Sequence, residues 1–89
     1  MARVVWRPQA VDDIRGIIRY IAQHNPAAAR DIAARLFTLG HSLKDFPRRG
    51  RLAGDWRELT TVPPYILRYT VEGDTVFILS VRHGARNPD

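Results

Sequence analysis

The side chains best suited to chemistry begin with a basic segment in the middle of the chain. Its four arginines are Arg48, Arg49, Arg51 and Arg57. A guanidinium group is permanently charged, and its fork of N–H donors matches phosphate and carboxylate groups. Gly50 and Gly54 predict a loop here, opposed only by Asp55. The basic segment is therefore a candidate target-binding surface, with an ordinary solvated loop as the alternative.

A second candidate lies near the C-terminal end, where His83 follows a β-prone run and Arg86 comes shortly after. An imidazole can accept or donate a proton near neutral pH, and arginines can neutralise a scissile phosphate. Together these groups could cleave RNA. The candidates for that chemistry are Arg51, Arg68, Arg82, His83 and Arg86. The alternative is a structural histidine that hydrogen-bonds to the backbone. The sequence shows no paired carboxylates and no glycine-rich phosphate loop.

Composition narrows the possible chemistry. The 89 residues include no cysteine and only three scattered histidines, so we expect no disulfide, no metal site and no cofactor. Every one of the 14 basic residues except Lys44 is an arginine, and the formal net charge of +5 favours an acidic partner. No apolar run approaches the ~18 residues of a membrane span, and the N-terminus lacks a signal peptide's apolar stretch. We therefore expect a cytoplasmic protein with no membrane partner.

Two amphipathic helices should follow a short N-terminal strand. Val4-Val5-Trp6 is β-prone, and Pro8 suits the first position of a helix. Asn25-Pro26 predicts an N-cap and the start of a second helix, so the two form a hairpin. Apolar residues recur at three- and four-residue spacing in both. They are Val11, Ile14, Ile18 and Ile21 in the first helix, and Ala29, Ile32, Ala33, Leu36, Leu39 and Leu43 in the second.

Alternation of apolar and polar residues replaces the helical spacing after residue 50. Strands are predicted over Trp56–Val62, Tyr65–Val71 and Thr75–Arg82, joined by tight turns. The predicted fold is α+β with the order β-α-α-β-β-β, in which a helix hairpin packs on one face of a small, mainly antiparallel sheet. A chain of this length supports a single domain spanning residues 1–89.

The last two strands should each present two different faces. One face is apolar and should meet the helices; it carries Tyr65, Leu67, Tyr69, Val71, Phe77, Leu79 and Val81. The other face mixes isolated aliphatic residues with arginines, which is typical of a surface that docks a partner segment. That predicted docking surface consists of Ile66, Arg68, Val76, Ile78 and Arg82. The alternative is a half-exposed face whose arginine stems cover the aliphatics.

Several short motifs follow one another in a characteristic order over nearly the whole chain. They include Ala10-Val11-Asp12-Asp13-Ile14, Asn25-Pro26-Ala27-Ala28-Ala29, Phe46-Pro47-Arg48-Arg49-Gly50-Arg51, Tyr65-Ile66-Leu67-Arg68-Tyr69 and Val81-Arg82-His83-Gly84-Ala85-Arg86. In order and spacing these motifs resemble the ParE/RelE toxin superfamily. The resemblance implies a growth-inhibiting toxin of a type II toxin–antitoxin pair. It also implies a cognate antitoxin, encoded nearby, whose C-terminal segment wraps the toxin.

The resemblance leaves two molecular targets, because members of the superfamily share a fold and not a target. Some are ribosome-dependent messenger-RNA endonucleases, and others poison DNA gyrase. The RNA-cleaving members place an arginine just before the Leu-x-Tyr of the middle strand, where this chain has Ile66. They also place a further basic or histidine residue near the C-terminus, where this chain has Gly84, and a tyrosine there, whereas no tyrosine follows Tyr69 here. Arg68 and His83 lie close to the vacant positions. Gyrase inhibition through the basic segment is therefore favoured, with ribosome and mRNA as the alternative target.

Overall fold

The structure is a computed structural model of the chain and describes residues 1–84. Its elements are β1 (Arg3–Trp6), α1 (Pro8–Ala22), α2 (Pro26–His41), a 3₁₀ helix (Ser42–Lys44), β2 (Arg51–Ala53), β3 (Trp56–Val62), β4 (Tyr65–Glu72) and β5 (Thr75–His83). The predicted order is confirmed, with the three-residue strand β2 added. Arg86 lies outside the described residues. Within residues 1–84, no helix is both long and apolar enough to cross a bilayer.

Local signals in the sequence account for the helix boundaries. Pro8 occupies the start of α1, where its missing N–H costs nothing. Asn25 caps α2, since its side-chain oxygen accepts a hydrogen bond from the Ala28 N–H at 3.0 Å. Asp13 of α1 is half-buried. Its Oδ2 accepts a hydrogen bond from the backbone N–H of Val81 at 2.9 Å and thereby ties α1 to β5.

Five strands form one mixed sheet in the order β1-β5-β4-β3-β2. Only the β1–β5 pair is parallel, because the helix hairpin carries the chain from β1 to the other strands. The remaining pairs are antiparallel. Both helices pack on one face of the sheet, α1 mainly against β5 and α2 against β3. The opposite face, called the open face below, carries no helix from residues 1–84.

The core lies between the helix hairpin and the sheet. Its largest fully buried side chain is Tyr69, whose hydroxyl accepts a hydrogen bond from the Gly50 N–H at 2.8 Å. A Cβ on Gly50 would lie 2.7 Å from that hydroxyl oxygen, so the loop can close on Tyr69 only with glycine there. Tyr65 is also buried. The interpretation of both tyrosines as core residues is confirmed.

A β-bulge in β5 changes which of its residues face the helices. The register with β4 pairs Arg68 with Ser80 and then Tyr69 with Ile78, so Leu79 is an extra residue without a partner. A bulge of this kind inserts one residue into one strand and reverses the alternation beyond it. The regular alternation predicted from the sequence therefore fails in the first half of β5.

The bulge therefore places two residues of the predicted docking surface on the opposite face from the one predicted. Val76 and Ile78 were predicted on the open face, and both are fully buried beneath the helices, so that prediction is wrong. Phe77, predicted to face the helices, instead pairs with Thr70 on the open face and is half-buried. The predictions for Tyr65, Leu67 and Tyr69 in β4 are confirmed, because β4 runs without an inserted residue.

Candidate functional site

A carboxylate that sequence reasoning did not single out, Glu58, lies on the open face between two of the candidate arginines. Strand pairing sets Arg51 of β2 and Arg68 of β4 on either side of Glu58 in β3. Arg68 Nε donates to Glu58 Oε2 at 3.0 Å, and Arg51 Nη2 lies 3.3 Å from Oε1. Only 10% of the Glu58 side chain and 29% of the Arg68 side chain are exposed. The charge of Arg68 is thus met within the protein, whereas Arg51 makes its contact with Glu58 from the surface.

Trp56 completes this cluster on the open face. The Arg68 guanidinium carbon lies 4.9 Å from the Trp56 ring centroid, a cation–π geometry. The Trp56 indole N–H also donates to Glu58 Oε2 at 3.4 Å. Arg68 is therefore held by a carboxylate on one side and an aromatic ring on the other. An acidic ligand would have to compete with both contacts to bind it.

The basic segment divides into one bracing arginine and three that face solvent. Arg57 is half-buried, and its Nη1 donates to the carbonyl oxygens of Gly50 at 2.8 Å and Arg48 at 3.3 Å. It holds the loop in shape and is poorly placed to meet a target. Arg48 and Arg49 are exposed. Arg51 is 77% exposed by side chain despite its contact with Glu58.

His83 lies on the helix side of the sheet. It pairs with Tyr65 across β4 and β5, and the two rings meet edge-on with centroids 5.6 Å apart. Together with Gly16, Ile17 and Tyr20 of α1 they line a cleft of about 460 Å³. The Nδ1 atom of His83 is buried and has no hydrogen-bond partner within residues 1–84. The alternative interpretation, a histidine bonded to backbone through this nitrogen, does not apply in that range.

The sheet separates the residues predicted to cleave RNA. Arg51 and Arg68 lie on the open face with Glu58, and Arg82 lies there too, beside Ile66. His83 faces the other way, toward α1. RNA cleavage needs a general base and a phosphate ligand at the same scissile group, whereas His83 lies on the opposite side of the sheet from Arg51, Arg68 and Arg82. Residues 1–84 also contain no group of three His, Asp or Glu side chains able to hold a metal ion.

The predicted docking surface keeps three of its five residues on the open face. Ile66 and Arg68 are half-buried there, and Arg82 is exposed. Its two aliphatics from β5 are lost to the core, and Phe77 takes their place with the Arg7 guanidinium 6.0 Å from its ring centroid. The surface therefore has fewer aliphatic side chains than the sequence predicted, and its Arg68 is already paired with Glu58.

A groove between α2 and β3 was not predicted. It has a volume of about 350 Å³ and is lined mainly by Ala34, Arg35, Thr38, Leu39, Arg49 and Val62. A second depression of about 340 Å³ shares Arg49 and is formed with Phe46, Pro47 and Arg48. A signal for it in the sequence is Phe46, a large apolar residue that follows Lys44-Asp45 and precedes Pro47-Arg48-Arg49. The sequence analysis names Phe46 only within the motif Phe46-Pro47-Arg48-Arg49-Gly50-Arg51.

Comparison with known proteins agrees with this fold. The family described as ParE toxin of type II toxin-antitoxin system, parDE, matches residues 4–88. Toxin RelE2 of Caulobacter vibrioides is 48% identical over 87 residues, which are 97% of this chain and 99% of that protein. A solved chain of the chromosomal ParDE TA system from P. aeruginosa has the same fold, with a TM-score of 0.82 at 19% identity over 93% of this chain and 96% of that one.

These matches show both the class of protein and its family. By these matches, the chain is a toxin of a type II toxin–antitoxin system within the ParE/RelE superfamily. Within that class, the chain belongs to the ParE toxin family, whose model spans nearly all of it. Family membership makes a cognate antitoxin protein the natural partner.

Proposed function

We propose that this toxin inhibits bacterial growth in the cytoplasm by binding and poisoning DNA gyrase. The observation that carries the proposal is the separation of the candidate catalytic groups by the sheet. His83 lines a cleft beside α1, whereas Arg51 and Arg68 are bound to Glu58 on the open face. A toxin that works by binding needs no proton acceptor, so this separation costs it nothing.

The basic segment supplies the surface for such binding. Arg48, Arg49 and Arg51 are exposed on one edge of the molecule, and Arg57 holds their loop through two backbone carbonyls. Charged side chains at an interface steer association and fix its orientation more than they add affinity. A rigid, basic edge on a protein of net charge +5 suits an acidic surface of a large enzyme.

A supercoiling assay tests the proposal. The purified chain is added to gyrase and relaxed plasmid, and we expect inhibition that the double variant Arg48→Ala/Arg51→Ala weakens about tenfold, the size of 1.4 kcal/mol of lost binding. The matched control is Arg15→Ala/Arg30→Ala, which removes the same charge from exposed helix positions and should inhibit like the parent. Equal inhibition by both double variants contradicts binding through the basic segment.

Ribosome-dependent cleavage of messenger RNA is the alternative function. It is favoured by one feature, the buried Nδ1 of His83, which has no hydrogen-bond partner among residues 1–84 and lies by a cleft that Tyr20 and Tyr65 also line. The chain is therefore also added to translating ribosomes, and the mRNA is mapped for new ends. New ends in the coding region, together with unimpaired gyrase, would establish the alternative and overturn the proposal.

A further inference from the structure

The edge strand β2 carries an exposed aliphatic side chain on the helix side of the sheet. Strand pairing forms one row of side chains across that side, made up of Leu52, Arg57, Tyr69 and Ile78. Tyr69 and Ile78 are 0% exposed beneath the helices, whereas Leu52 is 64% exposed. Within residues 1–84 the helix layer therefore ends before β2 and leaves Leu52 as apolar surface at the edge.

A depression of about 220 Å³ lies beside Leu52. Val71 and Trp56, both half-buried, supply apolar surface to it, and Arg48 and Asp55 are exposed charged residues that line it. Pockets for drug-sized ligands usually measure about 300–1,000 Å³. The depression is smaller than that and suits a single side chain of a partner protein.

The backbone that leads into and out of β2 is held in place. Arg57 Nη1 donates to the Gly50 carbonyl at 2.8 Å, and the Tyr69 hydroxyl accepts a hydrogen bond from the Gly50 N–H at 2.8 Å. Gly54 has a φ of 71° and permits the tight turn from β2 to β3. A surface that is already ordered loses less conformational freedom when it binds. Leu52 is therefore presented in a fixed position before any partner arrives.

Arginines lie beside this apolar position. Arg51 precedes Leu52 in β2 and is 77% exposed by side chain. Arg48 lines the depression, and the ion pairs found within residues 1–84 do not involve it. An apolar centre with a polar rim is typical of protein–protein interfaces. The charge favours an acidic partner over a second copy of this chain, because two chains of net charge +5 repel each other.

We propose that Leu52 is the apolar anchor of the target-binding surface, and that the target meets it with an apolar side chain flanked by carboxylates. The apolar side chain would enter the depression against Leu52 and Val71, and the carboxylates would pair with Arg48 and Arg51. The inference rests on the proposed function, since it takes the basic segment as the place where the target binds. Rim charges mainly set the association rate, so long residence on the target requires an apolar contact of this kind.

Two substitutions of Leu52 test the anchor in the full chain. Leu52→Glu should weaken inhibition of gyrase supercoiling at least about tenfold, because it sets a carboxylate against the apolar side chain of the target. Leu52→Ala leaves the charge unchanged and should weaken inhibition about threefold to tenfold, which separates the apolar contact from the charge. Both changes fall on an exposed side chain, so the fold should persist, as thermal melts would verify.

Thr60→Glu is the matched control. Thr60 is exposed on β3 and does not line the depression, and its substitution changes the charge by the same amount as Leu52→Glu. This variant should inhibit gyrase within about twofold of the parent, as expected for a surface substitution outside the interface.

The outcomes separate the anchor from the proposed function. Parent-like inhibition of gyrase by Leu52→Ala overturns the anchor and leaves gyrase as the target. Weaker binding of the antitoxin beside unchanged inhibition of gyrase also overturns it, because the antitoxin then covers Leu52. A parent chain that does not inhibit gyrase rejects the proposed function, and the variants are then compared by growth inhibition without antitoxin. Reduced growth inhibition by both Leu52 variants but not by Thr60→Glu supports the anchor for another target, and unchanged growth inhibition overturns it.

Discussion

The two faces of the sheet differ in the interactions that their side chains make. On the helix side, Leu67, Tyr69, Val76 and Ile78 are almost completely removed from water and packed against α1 and α2. On the open face, Glu58 forms cross-strand ion pairs with Arg51 and Arg68, and these pairs remain partly exposed. The first face is held together by apolar burial, which accounts for most folding free energy. The second is held by pairs that contribute little to stability individually.

This contrast indicates where partners are met. One face is covered by helices, and the arginines at the centre of the other are already paired with Glu58. Arg49, which makes no ion pair within residues 1–84, and the exposed Phe46 lie at neither centre. They belong to the edge where α2, β3 and the basic segment meet. Sheet faces supply the scaffold in this toxin, and its edge supplies the candidate contacts.

The largest effect that would test the contrast is expected from Ile78→Asp. Ile78 is 0% exposed, so the substitution removes apolar burial and places a carboxylate in the core. We expect a loss of about 4 kcal/mol or more, comparable with the whole stability of a small domain. Circular dichroism should then show no cooperative thermal transition.

Phe77→Asp is the control for that experiment. Phe77 is the next residue along β5 but lies on the open face and is only half-buried. The variant should melt cooperatively at a reduced temperature. A folded Ile78→Asp beside an unfolded Phe77→Asp would mean that the two faces of β5 are assigned the wrong way round.

A smaller loss is expected from Gly40→Ala on the helix side. A Cβ at Gly40 would clash with the Trp6 ring and lie 2.9 Å from Ile78 Cδ1. Trp6 cannot easily retreat, because its ring packs against Phe37 with centroids 5.1 Å apart. Overpacking should outweigh the gain in helix propensity and leave a net loss of about 1–2 kcal/mol. Urea unfolding measures it, and an unchanged or higher midpoint would show that the contact between α2 and β1 is loose.

The opposite sign is expected from Gly16→Ala in α1. Gly16 is exposed, and a Cβ there would meet nothing within 4 Å. Replacing a glycine in a helix interior by alanine should then stabilise the free toxin by about 0.5–1 kcal/mol. The same urea titration compares it with Gly40→Ala. Destabilisation by Gly16→Ala would mean that α1 approaches a neighbour at this point.

Most of the fold could be predicted because its signals are local. Pro8 and Asn25 mark helix starts, and the strand bounds predicted over residues 56–82 differ from those observed by at most one residue. The strand β2 was not predicted, because three residues are too few to show an alternation of apolar and polar side chains. This strand forms through its pairing with β3. The faces of the first half of β5 were reversed because the register with β4, and not the apolar pattern, positions the bulge.

The candidate site could be predicted only in part, because its properties depend on residues far apart in sequence. The arginines were found from their types, but their pairing was not. Arg68 meets Glu58 only through the β3–β4 register, and Arg57 meets the Gly50 carbonyl only when the loop closes. The groove between α2 and β3 forms only when these two elements lie side by side, which no local pattern encodes. Sequence therefore identified the charges, and tertiary pairing determined which remain available.

The smallest expected effect gives the most direct test of whether this toxin binds or cleaves. His83→Ala removes the one candidate proton acceptor among the predicted catalytic residues. It changes no residue of the basic segment or of the groove between α2 and β3. Growth of bacteria expressing the variant without antitoxin is measured beside the parent, at matched protein levels and with the fold checked by circular dichroism. We predict growth inhibition within about twofold of the parent, since no proton transfer is involved. Loss of inhibition by about a hundredfold or more in a folded protein, the size expected for a missing general acid–base, would contradict the account.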